Sequence, residues 1–142
     1  MTNSPTKLLS LDLGEKRIGI GLSDALRIVA QPYDVFPRTS RKADFDYVRQ
    51  IVERENVGQI VVGLPITMSG EEGAMAQWAR DYGTDLGHTL NIPVTFWDES
   101  LTSMQAERSM REYGMSRKQM KKKVDAVAAA LILQSYLESL RE

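Results

Sequence analysis

Apolar and polar residues alternate from Leu8 to Leu13 (LLSLDL), and a second strand-like run covers residues 18–23 (IGIGLS). Such runs predict strands, and Gly14-Glu15-Lys16-Arg17 between them predicts a tight turn, so the pair reads as a hairpin. Residues 29–37, VAQPYDVFP, predict a third strand, with Pro32 suited to a sheet edge. The period then changes. Phe45, Val48, Ile51 and Val52 form the apolar stripe of a helix that opens at Ser40 and ends at Asn56-Val57-Gly58. Residues 59–64, QIVVGL, predict a short buried strand closed by Pro65. Ser69-Gly-Glu-Glu72 reads as a capping box before a helix that runs to about Leu90. PVTFWD, residues 93–98, predicts a fifth strand. Thr102 to Gln105 is another capping signature, opening a helix that stops near Gly114. Ser116 to Gln119 is a third, opening a last helix that runs to about Leu140.

This order predicts an α/β fold: a five-stranded mixed sheet, ordered 3-2-1-4-5, flanked by helices on both faces. The 142 residues suit a single domain, 1–142, and contain no repeat, low-complexity segment or linker. The composition, 42% hydrophobic and 26% charged, is that of a soluble globular protein. With no cysteine, disulfides and thiolate zinc sites are excluded, which agrees with a cytoplasmic location. The N-terminal MTNSPTK lacks the apolar core of a secretion signal, and no apolar run reaches the roughly 18 residues that span a bilayer, so no membrane partner is expected. A formal net charge of −1 leaves nucleic-acid binding to local patches.

Three acids stand where the pattern does not ask for them. Asp12 ends the first strand on the face of Leu8 and Ser10; a turn-initiating aspartate is the plainer reading. Glu99 ends the strand VTFWDE, where α/β folds place their chemistry, although acids also favour helix N-termini. Asp98 precedes it and points to the opposite face if the strand continues that far. Asp125 shares a helical stripe with Ala128, Ala129, Ile132 and Tyr136, the stripe expected to pack on the sheet. A lone buried carboxylate there costs several kcal/mol unless a cation or partner compensates. The plainer reading is an intrahelical pair with Lys121 or Lys122. In a sheet ordered 3-2-1-4-5 the three acids converge on one edge. Oxygen-only ligands without nearby His select a hard ion, Mg²⁺ or Mn²⁺, and a carboxylate cluster holding two such ions is a phosphodiester-cleaving device.

Cations flank the acids. RKQMKKK, residues 117–123, places Lys118, Lys121 and Lys122 on the stripe of Asp125, and Lys16 and Arg17 follow Asp12 in the turn. These five are the candidate nucleic-acid-binding residues. Arg38, Arg41 and Lys42 read as surface. The loop GLPITMSGEEG, 63–73, offers backbone N–H groups to phosphate but lacks the Walker signature. His88 reads as a structural residue deep in a helix, and Trp78 and Trp97 read as core.

LDLGEKRIGIGLSD, VVGLPITMSGEEG, DESLTSMQAE and VDAVAAALILQSYL together resemble the YqgF/RuvX-like family, which carries an RNase H-like fold. The resemblance covers about Leu8 to Leu140. It implies a metal-dependent nuclease acting on structured nucleic acid, linked to pre-16S ribosomal RNA processing and, by fold analogy, to resolution of Holliday junctions. It implies catalytic, metal-binding Asp12, Glu99 and Asp125, with pre-rRNA or branched DNA as partner and a monomer or homodimer as the acting species. Two departures bear on substrate contacts: Ser100 and Ser103 stand where the family reads Arg and Thr, and Thr67 stands where many relatives carry Asn. The alternative function is a ribosome-maturation or transcription factor that binds nucleic acid with weak or no catalysis. A sugar-kinase or actin-like phosphotransferase also opens on an Asp-x-Gly strand pair, but it needs two such domains.

Overall fold

The computed structural model describes residues 5–66, 72–101, 108, 111–112 and 124–141. One five-stranded sheet runs through it, built from β1 (Lys7–Leu13), β2 (Arg17–Ser23), β3 (Ala30–Pro37), β4 (Val57–Leu64) and β5 (Val94–Asp98) in the order β3-β2-β1-β4-β5. The order is the expected one. β1 pairs antiparallel with β2 and parallel with β4; β2 pairs antiparallel with β3, and β4 parallel with β5. The C-terminal ends of β1, β4 and β5 therefore share one edge of the sheet.

Local chemistry explains the boundaries. The hairpin turn closes with Gly14 N–H donating to the Arg17 carbonyl at 3.0 Å. Pro32 lies on the outer strand beside a register shift, where its missing N–H leaves no gap in the ladder. Helix α1 (Arg41–Glu55) opens at Ser40, whose side chain accepts from Ala43 N–H, and stops at Asn56 in a left-handed conformation. Val57 and Gly58, expected to finish that helix, already belong to β4. Helix α2 (Ala74–Leu90) starts later than a Ser69–Glu72 capping box requires: its N-cap is Gly73, which offers no side-chain bond. Glu72 instead takes both oxygens to Arg80, at 2.7 and 2.6 Å, and bridges back to Ile66. Ser69 lies outside the described residues, as do the signatures Thr102–Gln105 and Ser116–Gln119. The last helix is described as α3 (Val124–Ser139). No described helix is long and apolar enough to cross a membrane.

Period two divides the sheet into two chemically distinct faces. Leu9, Leu11 and Leu13 of β1 pack with Ile18, Ile20, Ile60 and Val62 beneath α1 and α2, which contribute Phe45, Val48, Ile51, Ala79, Tyr82 and Leu86. Each such fully buried side chain contributes about 1.5–3 kcal/mol before entropy is counted. On the other face, Leu8, Val61 and Ala30 meet Ala130, Ile132, Leu133 and Leu137 of α3. Trp78 and Trp97, expected in the core, are partly buried and pack against these two clusters respectively. Buried Ser10 ties this second layer together: its hydroxyl donates to the Ala129 carbonyl at 2.6 Å. Helix α3 comes close because β2 carries glycine there. A Cβ on Gly19 would overlap the carbonyl oxygen of Asp125.

Candidate active site

Strand register sets the position of the first acid. In β1, Asp12 follows Leu8 and Ser10 on the α3 face, and it pairs with Gly19 of β2. Leu11 pairs with Val62, and Gly63 pairs with Trp97, so Asp12 reaches the level of Gly63 on the neighbouring strand. The second acid arrives by a change of backbone. β5 ends at Asp98, whose carboxylate accepts from Ser100 N–H at 2.8 Å, and Glu99 opens a single 3-10 turn. The strand thus ends at Asp98, where the run 93–98 predicts, and Glu99 leaves the strand alternation for the turn. The turn lays Glu99 over Gly63: a Cβ on that glycine would come within 2.9 Å of both Glu99 Cγ and Oε1. The missing side chain is the space through which Glu99 crosses β4 to hydrogen-bond with Asp12.

Asp125 stands in the first described turn of α3. Its backbone carbonyl lies on Gly19, the cross-strand partner of Asp12, so the third acid flanks the first. Asp125 is 36% exposed, and its Oδ2 accepts from Arg17 Nε at 2.9 Å, so it is not the uncompensated buried charge expected from its stripe; Lys121 and Lys122, the other expected partners, lie outside the described residues. Its stripe borders the site rather than forming the centre of the packed face: Ala128 and Ile132 join Asp12, Glu99 and Leu131 around a cavity of about 190 Å³. The fully buried side of the helix is Ala126, Ala129, Ala130 and Leu133.

Burial governs the protonation of the pair. Glu99 is pushed up to about 8, first by burial, then by its hydrogen bond with Asp12 and the charges of Asp12 and Asp98. Asp12 is also raised by burial, against the lowering effect of the same hydrogen bond, with the Asp125 charge adding to the rise. Two adjacent, partly desolvated anions are disfavoured, so the pair holds a proton between them more readily than either acid would alone. At neutral pH the two carboxyls therefore share one proton.

The donor set is chemically suited to a hard divalent ion, being carboxylate oxygens on rigid elements. Among the described residues no group of three or more His, Cys, Asp or Glu is drawn together tightly enough to close on an ion. Glu99 and Asp12 are hydrogen-bonded to each other, and Asp125 is turned to Arg17. A dication would have to replace both the proton and the guanidinium.

Of the five candidate phosphate contacts, Lys16 is exposed in the turn, Arg17 is the partner of Asp125, and Lys118, Lys121 and Lys122 lie outside the described residues. So does Thr67, with residues 68–71 of the GLP loop. His88 is not deep in its helix; it lies exposed in the last turn of α2, beside a larger groove of about 610 Å³ whose lining contains no acid.

Three contributors were not singled out from the sequence. Gly63 could have been found as the lone glycine in a run of β-branched residues. Ser10 stood as a polar residue on a strand face. Arg38, read as surface, is part of the hairpin turn: its N–H donates to the Lys16 carbonyl at 2.8 Å, its Nη1 donates to the Gly14 carbonyl at 3.1 Å, and its guanidinium sits 4.3 Å over Trp78.

The family model described as "RuvX: Holliday junction resolvase" matches residues 6–139 of the chain. A relative from Syntrophomonas wolfei, 42% identical over 132 residues that cover 93% of this chain and 94% of that one, is named "Putative pre-16S rRNA nuclease". The relative from Caldanaerobacter subterraneus with the same name is 42% identical over 134 residues, covering 94% of this chain and 96% of that one. Among solved structures, T. thermophilus RuvC in complex with Holliday junction substrate aligns at a TM-score of 0.59 and 11% identity, over 96% of each chain. The fowlpox virus resolvase in complex with Holliday junction DNA aligns at 0.57 and 13%, over 96% of this chain and 100% of that one. At such identities the likeness is one of fold, the RNase H-like arrangement with this sheet order.

Proposed function

The chain belongs to the RuvX family, and from that premise we propose that it is a metal-dependent nuclease hydrolysing phosphodiester bonds in structured nucleic acid, with Asp12, Glu99 and Asp125 as its metal-holding and catalytic acids. The observation that carries the proposal is the Asp12–Glu99 contact made across Gly63 at the C-terminal edge of the parallel strands, with Asp125 alongside. α/β sheets bind ligands at that edge. A cluster of carboxylates there, repelling one another and partly desolvated, gains free energy from a hard cation and loses it without one.

A bound Mg²⁺ or Mn²⁺ supplies positive charge at the scissile phosphoryl group and activates the attacking water. The chain's own residues do the rest. Glu99 gives up the proton it shares with Asp12, so both acids present anionic oxygens. Gly63 leaves Glu99 its path over β4. Ala128, Leu131 and Ile132 form the apolar wall that limits water and strengthens the electrostatics inside. Lys16 and Arg17 extend from the turn after Asp12 as contacts for the phosphate backbone. The names of the relatives make pre-16S rRNA the favoured substrate, and branched DNA is the second.

A nucleic-acid-binding factor with little or no catalysis is the other reading, favoured by the Arg17–Asp125 pair that occupies one acid. Labelled stem-loop RNA and four-way DNA, incubated with Mn²⁺, Mg²⁺ or EDTA, separate the two. Cleavage that needs the ion and is lost in Asp12→Asn supports the nuclease. Binding that weakens with salt, survives EDTA and Asp12→Asn, and yields no cut product supports the factor.

A further inference from the structure

Arg17 opens β2 at the end of the hairpin turn, and its Nε donates to Asp125 Oδ2 at 2.9 Å. The side chains are 64% and 36% exposed, so the pair lies at the mouth of the site rather than within the core. Among the described residues it is the only hydrogen bond either side chain makes. The backbone of Asp125 rests on Gly19, which faces Asp12 across the ladder, so a cation shared by these acids would sit near the guanidinium. A dication and a guanidinium repel each other and compete for the same carboxylate.

We propose that Arg17 is a displaceable counter-ion: it holds Asp125 in the metal-free protein, yields it when a divalent ion binds, and then turns its guanidinium to a phosphodiester of the substrate. The inference rests on the reading above that Asp12, Glu99 and Asp125 hold the ion. It makes loading cooperative. An ion that takes Asp125 releases the Arg17 Nε–H, so that the whole guanidinium can turn to phosphate oxygens, and a phosphate that draws Arg17 away leaves Asp125 to the ion. By linkage, ion and substrate tighten each other's binding by the same factor. Lys16, one residue earlier, carries the same charge in the same turn without an ion pair among the described residues, and serves as the control for charge alone.

The test is Mn²⁺ binding to the full chain without nucleic acid, read from the electron paramagnetic resonance of the free hexaaqua ion. Arg17→Gln should bind Mn²⁺ roughly two- to fivefold tighter than the wild type, the range an exposed ion pair allows. Lys16→Gln should shift it by less. Thermal melts establish that both variants are folded. Unchanged or weaker binding in Arg17→Gln, or an equal gain in Lys16→Gln, overturns the role of Arg17 while leaving the carboxylate site standing. A wild type that binds no Mn²⁺, or binding that Asp12→Asn does not reduce, overturns the site and the role of Arg17 with it.

Discussion

Replacing Glu99 by Gln should make the metal-free protein more heat-stable at alkaline pH and leave it nearly unchanged in acid. Glu99 ionises near 4.5 when free and is pushed up to about 8 in the fold, chiefly by burial. Relative to the unfolded chain, the stability carried by its protonated form is complete below about pH 4.5. It is lost as the pH rises through about 8. A displacement of that size corresponds to about 5 kcal/mol as an upper bound. Glu99 is half-buried, and screening by the remaining water reduces this to about 1–2 kcal/mol. Gln keeps the donor to Asp12 and never ionises, so that loss disappears. For a chain of this length the gain is roughly 3–8 °C in melting temperature at about pH 9. The assay is circular dichroism melting in EDTA at about pH 5, 7 and 9. With saturating Mn²⁺ the order should invert, because the wild type gains ligand stabilisation that the variant lacks. A variant no more stable than the wild type at pH 9, or stabilised equally at pH 5, would refute the proton-sharing pair.

Gly63→Ala should cost less than about 1.5 kcal/mol of stability, because the atoms nearest its new methyl belong to the Ile132 and Glu99 side chains rather than to backbone, yet cleavage should fall at least tenfold as Glu99 is pushed aside. Gly19→Ala should do the reverse in origin: its methyl meets the backbone of Asp125 and Ala126, which cannot yield, so melting temperature drops first, by more than 5 °C, and activity follows. Asp125→Asn should change the metal-free melting temperature by no more than about 3 °C, since it removes one half-exposed ion pair and one repulsion on Asp12 together. A large loss there would make Asp125 a structural ion-pair partner.

The sheet was legible in the sequence because its signals are local. LLSLDL and IGIGLS repeat every two residues, Pro32 marked an outer strand, and Ser40 and Asn56 supplied a cap at each end of α1. The strand order was also expected, since three strands followed by alternating helices and strands leave few other arrangements. The errors arose where a local signal competed with a tertiary contact. Ser69 to Glu72 has the spacing of a capping box, but Arg80 takes the Glu72 carboxylate, and the helix begins two residues later. Asp125 shows the same limit: helical spacing proposes only near neighbours, whereas its partner among the described residues, Arg17, lies 108 residues away on β2. The acids themselves stood out because they broke the hydrophobic pattern. The route by which two of them meet did not, because it depends on the absence of a side chain at Gly63 and on the 3-10 turn that Glu99 opens after β5.

The most direct measurement is the anomalous scattering of a crystal soaked in Mn²⁺. A peak is expected beside Ala128, at roughly 2.1–2.4 Å from oxygens of Asp12, Glu99 and Asp125, with the Arg17 guanidinium moved off Asp125. A peak ligated elsewhere, or a saturating soak that leaves the Asp12–Glu99 hydrogen bond intact with no ion between the acids, would contradict it.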